Sequence, residues 1–535
     1  MQTKFRPGSY EEAVKALNSF QSNAETIEKA KKTGARANLL SVTATRDLLI
    51  ETGVSLSELR RLNAIHVAGT KGKGSTCALT ESILRHHGYK TGFFSSPHLV
   101  SVRERIRING KPLSEEDFAR YFWKLYDKVI KVTDESTRPP YFRFLTVLSF
   151  HIFLQEEVDV GIIEVGIGGE YDSTNIIPCP VVGIVTTLDL DHTSLLGHTM
   201  EEIAWQKSGI FKPGSVALTV PQEGHALNVL RDRAHERNCA LYLVNRVTEF
   251  AWPDGRVACG IPGVAQDWNI SLAVHAARLW MLQMKSNKVD STDGIDELNI
   301  SARDHDIPVL SGFNLSPMVV NGLRLCSWPG RSQVIRKFPI TYFVDGAHTP
   351  KSIEACAQWF RQASDERRTC LRIGRILLFN CTGDRNPDTL VPFLMGVDFD
   401  YAVFCPNVVS GTVDPKSELT NLNVSWATQR ERCIKSRDAW THFLSKQSYV
   451  RSVEQSLSSR GGLIVDGASD FEDSKATVVD SVNDALDCIR SFAAADQLSS
   501  SMVPTSLNCD EIHVLVTGSL HLVGAVLSCI DAQFR

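Results

Sequence analysis

Residues 66–79 read HVAGTKGKGSTCAL and come close to a phosphate-binding loop. The standard pattern, G-x-x-x-x-G-K-[ST], cradles phosphates on backbone amides, neutralises them with its lysine and holds magnesium with its hydroxyl. Gly72 and Lys73 supply the centre of that pattern, but Val67 stands at the first glycine and Gly74 at the hydroxyl position. Gly69, Gly72 and Gly74 around a central lysine, opening onto a helix near Ser75, still suit an anion, because amides and dipole at a helix N-terminus favour negative charge.

Other reactive side chains fall at the ends of apolar runs. Ser96 follows KTGFF, Glu164 closes DVGIIEV, His192 follows VGIVTTL, and Asp345 and His348 follow TYFV. In open α/β sheets ligands bind beyond the carboxyl ends of the strands, so a lysine, a hydroxyl, a carboxylate and an imidazole would gather on one rim. Each also has a plainer reading. Glycine-rich turns are common after strands, and Glu164 could close a structural ion pair as well as ligate a metal. A lone histidine such as His192 is more often structural. Lys207, within EEIAWQKSGIFKPG, would by default be a solvated helix residue, and Asp345 and His348 could cap the next helix. The constellation carries the inference, not any member.

The elements that must position these residues alternate between short apolar strands and helices, the pattern of α/β layers with a mostly parallel sheet. AIHVAG, KTGFFSS, VDVGIIEVG, VVGIVTTLD and VALTV read as strands, and STCALTESILRHHG and MEEIAWQKSGIF as helices, the first closed by Gly88. A second series begins near Arg331, with strands ITYFVDGAH, RILLFNCTG, YAVFCP and IHVLVTGS and helices KSIEACAQWFRQA and SVNDALDCIRSF. Pro329-Gly330 punctuates the transition. The expectation is a phosphate-loop-type ATPase domain over 1–330 and a smaller Rossmann-like α/β domain over 331–535. Three polar segments, Lys285 to Asp306, Lys446 to Lys475 and Ser499 to Thr505, lack periodicity and read as surface insertions without ordered cores.

Bulk composition excludes several classes. The 535 residues, 43% hydrophobic and 22% charged, are ordinary for globular domains. A net charge of -4 argues against nucleic-acid or anionic-membrane partners. No stretch approaches the ~20 apolar residues of a membrane span. The 13 cysteines are scattered without a C-x-x-C pair, which fits reduced thiols in the cytoplasm. The N-terminal MQTKFRPGSYEEAVKALNSF has no apolar core of a leader; a mitochondrial form with a longer start would be invisible.

Taken together, GTKGKGS (69–75), TGFFSSPHLVSVRERIRING (91–110), PPYFRFLT (139–146), EVGIGGEYDSTNII (164–177), DHTSLLGHTMEEIAWQKSGIFKPG (191–214), WPGRSQV (328–334) and VDGAHTP (344–350) resemble the folylpolyglutamate synthase family, a branch of the Mur ligases, in its eukaryotic form. The resemblance covers nearly all of the first domain and thins toward the C-terminus, where FNCTGDRNP and VLVTGSLHLVG remain recognisable. It implies ATP-dependent addition of L-glutamate to the γ-carboxylate of tetrahydrofolate and its polyglutamates through an acyl phosphate, by a monomer using ATP, two magnesium ions and a monovalent cation. Gly72, Lys73, Gly74 and Ser75 match the family's phosphate loop, and Ser96, Glu164 and His192 its magnesium ligands. Lys207 matches the lysine that this family carbamylates. Arg331 and Asp345 match nucleotide contacts, and His348 a residue near the reacting centre.

On this reading Ser96 replaces the hydroxyl that Gly74 displaces. One departure stands out. Where the family carries H-Q-x-x-N-A, this chain has AQDWNI, keeping Gln266 and Asn269 but not the flanking residues at Ala265 and Ile270; Asn269 is the matching nucleotide contact. Rival readings are a bifunctional enzyme that also adds the first glutamate to dihydropteroate, a Mur-type ligase of cell-wall precursors, and an ATP-binding regulator that has lost catalysis.

Overall fold

The computed structural model describes residues 8–531 except 22–34, 136, 254, 264–265, 287–299, 367–370, 383–384, 411–417, 419–425, 459–474, 494–506 and 508. The chain divides into two compact units at Trp328/Pro329. It is mixed α/β, as the alternating strand and helix patterns imply.

In the first unit the strands are β1 (Ile65–Ala68), β2 (Thr91–Phe94), β3 (Ile106–Ile108), β4 (Lys111–Pro112), β5 (Val160–Glu164), β6 (Val182–Val185), β7 (Val216–Thr219), β8 (Ala240–Leu243), β9 (Ile300–Asp304) and β10 (Ile307–Leu310). Among the described residues they form one sheet in the order β4-β3-β2-β5-β1-β6-β7-β8-β10-β9. Only β3, β4 and β9 run antiparallel to their neighbours. The central strands are buried along their length and apolar but for His66 in β1 and Glu164 at the end of β5, as a sheet covered by helices on both faces requires. The chain leaves β1 for β2, returns with β5 between them, then moves to the other side with β6. Strand order therefore reverses at β1, whose carboxyl end opens into the glycine loop.

That loop starts the helix Lys73–His86, with Gly72 at its N-cap. Gly88, at φ +88°, ends it: its N–H donates to Arg85 O at 3.0 Å and that of Tyr89 to Leu84 O at 3.2 Å, the paired bonds of a left-handed C-terminal cap. The helix Gln266–Ser286 packs alongside. Trp280 anchors it, 1% exposed, with its ring edge-on to Tyr89 and its Nε1–H donating to Asn63 O at 2.7 Å.

The second unit has β11 (Gln333–Lys337), β12 (Ile340–Val344), β13 (Ile373–Phe379), β14 (Tyr401–Phe404), β15 (Ala476–Val478) and β16 (Glu511–Thr517), in the order β11-β12-β16-β13-β14-β15. All pairs but β11–β12 are parallel. The last strand returns between β12 and β13, which places a second reversal of strand order at the end of β12.

Two of the three expected insertions contain regular structure. Ile300–Asp304 is an edge strand joined to β10 by His305-Asp306, both left-handed at φ 48° and 64°. This is the twist a two-residue hairpin needs, but without the Asn-Gly signature that would have announced it. The helix Trp426–Ser458 runs through the first half of the segment from Lys446. Its first half buries a narrow stripe, Cys433, Ser436, Ala439 and Trp440, against the core of the second unit, and its other residues tolerate helix well. Ser499 to Thr505 lies outside the described residues.

Removing the Trp280 anchor leaves a large cavity and an orphaned carbonyl. Trp280→Ala should lower unfolding free energy by about 4 kcal/mol, read as a shift in urea midpoint; a loss under about 1 kcal/mol would show that the two helices do not depend on it.

Candidate active site

The glycine loop is held by close backbone approach. A Cβ on Gly69 (φ +143°) would overlap Thr186 Oγ1, and one on Gly72 (φ +89°) would overlap Asn269 Oδ1. Both positions therefore exclude every side chain, by space and by conformation. The amides of Thr70 and Lys71 donate to Thr187 O, each at 3.0 Å, so they are spent on the loop after β6. Thr76 N–H bonds Gly72 O at 2.8 Å. The first-turn amides of Lys73, Gly74 and Ser75 are the donors that a helix N-terminus turns outward.

Gly74 faces two other parts of the unit. A Cβ there would lie 3.2 Å from Trp328 Nε1 and 3.5 Å from Glu164 Oε1. Glu164, 5% exposed at the end of β5, accepts a 3.0 Å hydrogen bond from Ser96 N–H through Oε2. Ser96 and Glu164 thus meet beside the first turn of the phosphate-loop helix. A hydroxyl and a carboxylate are hard oxygen donors of the kind magnesium takes, with waters and phosphate oxygens completing its shell. Among the described residues no group of three or more His, Cys, Asp or Glu side chains could hold a metal unaided. His192 lies in the loop that follows β6, exposed and left-handed at φ 51°, preceding the short helix Thr193–Leu196.

Three lysines surround the loop. Lys207 is 3% exposed, and its Nζ donates to Gly69 O at 2.9 Å, so the reading of it as a solvated helix residue does not hold. Burial pushes its pKa well below the usual lysine value, repulsion from Lys73 and Lys71 adds to that, and Asp191 opposes it. A neutral amine is what attack on carbon dioxide requires. The helix Met200–Lys207 is set by a capping box between Thr199 and Glu202 and by Gly169, where a Cβ would lie 2.7 Å from the carbonyl oxygens of both Gln206 and Lys207. Lys71 pairs with Asp191 at 3.2 Å; burial pushes its pKa down to about 8, against the pull of Asp191 and with repulsion from Lys73.

The turn after β5 is pinned from beneath. Asp172 accepts Ile167 N–H at 3.0 Å and both Thr174 N–H and Oγ1–H, at 2.9 and 2.6 Å. The Thr174 hydroxyl, having donated, accepts from His66 Nε2 at 2.8 Å. His66 is therefore the neutral Nε2–H form, as its burial and a pKa near 3 require.

In the second unit Asp345 is half-buried at the end of β12. Its Oδ2 accepts from Ser332 N–H at 2.7 Å and its Oδ1 from Ala347 N–H at 2.9 Å. Burial raises its pKa, against the nearby Arg331 guanidinium and these donors. Arg331 packs along Gly346, and His348 directs Nδ1–H to Gly346 O at 2.9 Å. Asn269 bonds Gln266 Oε1 at 2.9 Å and accepts from Thr76 Oγ1 at 3.3 Å; it buttresses Gly72. Lys71, Asp191, Asp172 and His66 were not singled out by the sequence. The second lysine in TKGK was the available signal for Lys71.

A phosphate loop at a strand-order reversal, flanked by buried lysines and a carboxylate beside a serine, defines a nucleotide-binding α/β protein of the phosphate-loop class. No protein-family model matches the chain. It is 41% identical over 550 residues to "Folylpolyglutamate synthase, mitochondrial" of Bos taurus, covering 98% of this chain and 92% of that one. It is 36% identical over 541 residues to "Folylpolyglutamate synthase" of Saccharomyces cerevisiae, covering 98% and 87%. The chain belongs to the folylpolyglutamate synthase family. Its fold is similar to that of Mycobacterium tuberculosis folylpolyglutamate synthase complexed with ADP, with a TM-score of 0.63 at 22% identity over 95% of this chain and 98% of that one. It is also similar to bifunctional folylpolyglutamate synthase/dihydrofolate synthase of Yersinia pestis complexed with AMPPNP and Mn ion, with a TM-score of 0.60 at 22% identity over 92% and 93%.

Restoring the usual hydroxyl with Gly74→Ser should damage the site, because the side chain presses on Trp328 and Glu164. We expect kcat/KM to fall about 100-fold, the effect of misplacing a reacting group by about an ångström. Retained activity in Gly74→Ser would show that the glycine is not needed for the Ser96–Glu164 arrangement.

Proposed function

We propose that the protein is an ATP-dependent amide-forming ligase that adds L-glutamate to the γ-carboxylate of tetrahydrofolate and its polyglutamates. The observation that carries this reading is the meeting of Ser96 and Glu164 beside Gly74, which supplies at a strand end the hydroxyl missing from the phosphate loop. Membership of the folylpolyglutamate synthase family supports the reaction, and the ADP, AMPPNP and manganese of the solved relatives support ATP and a divalent metal. The first unit is read as the ATP-binding domain and the second as the ligase domain.

A carboxylate does not condense with an amine at neutral pH, because its oxygen is a poor leaving group. Transfer of the ATP γ-phosphoryl group to that oxygen gives an acyl phosphate; the amine of glutamate attacks its carbonyl carbon, and phosphate leaves. Lys73 and the first-turn amides hold the phosphates in line and offset the repulsion between two anions. Magnesium on Ser96, Glu164 and His192 would neutralise phosphate oxygens. Lys207, once carbamylated, becomes an anion able to face a second metal from beside Gly69. Asn269 keeps Gly72 in place for the nucleotide. Arg331, Asp345 and His348 take the nucleotide and reacting-centre roles that the family resemblance gives them.

The described cysteines are all free, which supports a reducing compartment, the cytoplasm in this reading; the bovine relative carries the word mitochondrial in its name. No helix among the described residues is long and apolar enough to cross a membrane. We read the protein as a monomer with no nucleic-acid partner.

Labelled glutamate, offered with Mg-ATP and either tetrahydrofolate monoglutamate or dihydropteroate, tests the reaction. Incorporation into the first with equimolar ADP is expected; incorporation into both would make the enzyme bifunctional, and into neither would favour a regulator. Lys73→Ala and His192→Ala should each lose at least about 100-fold in turnover. Lys207→Ala should lose as much and regain part of it with added short carboxylates; an active, unrescued variant would remove the carbamate.

A further inference from the structure

The phosphate loop and the loop bearing His192 are bonded to each other at several points. Thr70 and Lys71 give both amides to Thr187 O, Thr70 Oγ1 donates to Asp189 O at 3.1 Å, and Lys71 Nζ reaches Asp191 Oδ2 at 3.2 Å. The other oxygen of Asp191 accepts the backbone N–H of His192 at 2.9 Å. His192 is left-handed, and its carbonyl accepts from Leu195 and Leu196 N–H at 2.9 and 3.0 Å. A non-glycine residue in that conformation is strained and persists only where its surroundings hold it. The Lys71–Asp191 pair is well placed to hold it, since the two side chains are only 24% and 13% exposed and solvent screens them less than a surface pair.

We propose that Lys71 is a positioning residue: acting through Asp191, it fixes the backbone at His192 and so ties the metal ligand to the loop that receives the phosphates. The proposal rests on the reading of His192 as a ligand. It separates the two lysines of TKGK. Lys73 opens the helix and serves phosphate, whereas Lys71 is turned along the sheet edge to a carboxylate. Hydrogen bonds that orient a ligand matter to metal affinity nearly as much as the ligand itself, commonly 10–100-fold.

The experiment measures manganese affinity by electron paramagnetic resonance on the full chain with a non-hydrolysable ATP analogue. In parallel, affinity for the same analogue is measured in EDTA, without metal. Lys71→Met should weaken manganese binding about tenfold and leave metal-free nucleotide affinity within about twofold. Lys71→Arg should recover most of the loss. Asp191→Asn should match Lys71→Met, and the double variant should be no worse than either, because the two residues act as one device. Asp191→Asn with Lys71→Arg keeps the test alive should Lys71→Met not fold. Unchanged manganese affinity in Lys71→Met, or an equal loss of metal-free nucleotide affinity, overturns the positioning role, the latter by making Lys71 a direct phosphate contact. His192→Ala is the control that separates the two readings. If it binds manganese as wild type does, the ligand assignment falls and this proposal with it. If it binds weakly while Lys71→Met binds normally, only the proposal falls.

Discussion

The close passage of backbone at Gly69 and Gly72 governs the rest of the first unit. Both glycines lie where any Cβ would enter a neighbouring side chain, Thr186 on one side and Asn269 on the other. With no side chain to bury, the loop lies flat on the sheet edge, spends its early amides on Thr187, and turns those of Lys73, Gly74 and Ser75 outward. The same flatness lets Lys207 reach Gly69 O from below. A bulkier loop would displace the lysine and the helix N-terminus together.

Charge is the second consequence. Burial lowers the pKa of both Lys71 and Lys207, and repulsion from Lys73 adds to it at each. Asp191 and Asp189 oppose the shift at Lys71, and Asp191 and Asp172 oppose it at Lys207. Such a cluster of cationic groups around a helix N-terminus favours an anionic ligand.

Much of this was legible in the sequence, and the exceptions have physical reasons. Buried parallel strands announce themselves as apolar runs, so β1, β2, β5, β6 and β7 were readable, and with them the residues at their carboxyl ends. The glycine loop was readable because only glycine tolerates its conformations. Lys207 was not readable as buried, since nothing local distinguishes it from a lysine on a wet helix face; its burial is set by Gly169, nearly forty residues away in the chain. Lys71 and Asp191 lie on different loops and meet only once the sheet forms. The hairpin at His305-Asp306 hid because its left-handed residues are not glycines, and the helix Trp426–Ser458 because its buried stripe is narrow and mixes Cys433 and Ser436 with Ala439 and Trp440.

Gly74 shows why the departure from the usual phosphate loop is an arrangement and not a loss. In the standard loop one short stretch of helix holds both the phosphate and the metal hydroxyl. Here Ser96 and Glu164 sit at the ends of β2 and β5, paired in register from Thr91↔Val160 to Phe94↔Ile163, and the proposed division leaves the helix with the phosphate and the strand ends with the metal. Adjacent parallel strands in the middle of a sheet are among the most rigid places a fold offers, and sites built on them hold geometry better than sites on loops. A serine at 74 would put its Cβ 3.2 Å from Trp328 Nε1, tighter than ordinary contact, and 3.5 Å from Glu164 Oε1. On the proposed reading the glycine and the serine after β2 are therefore one departure: the hydroxyl moves from the helix to a strand end, and Trp328 takes the space it leaves.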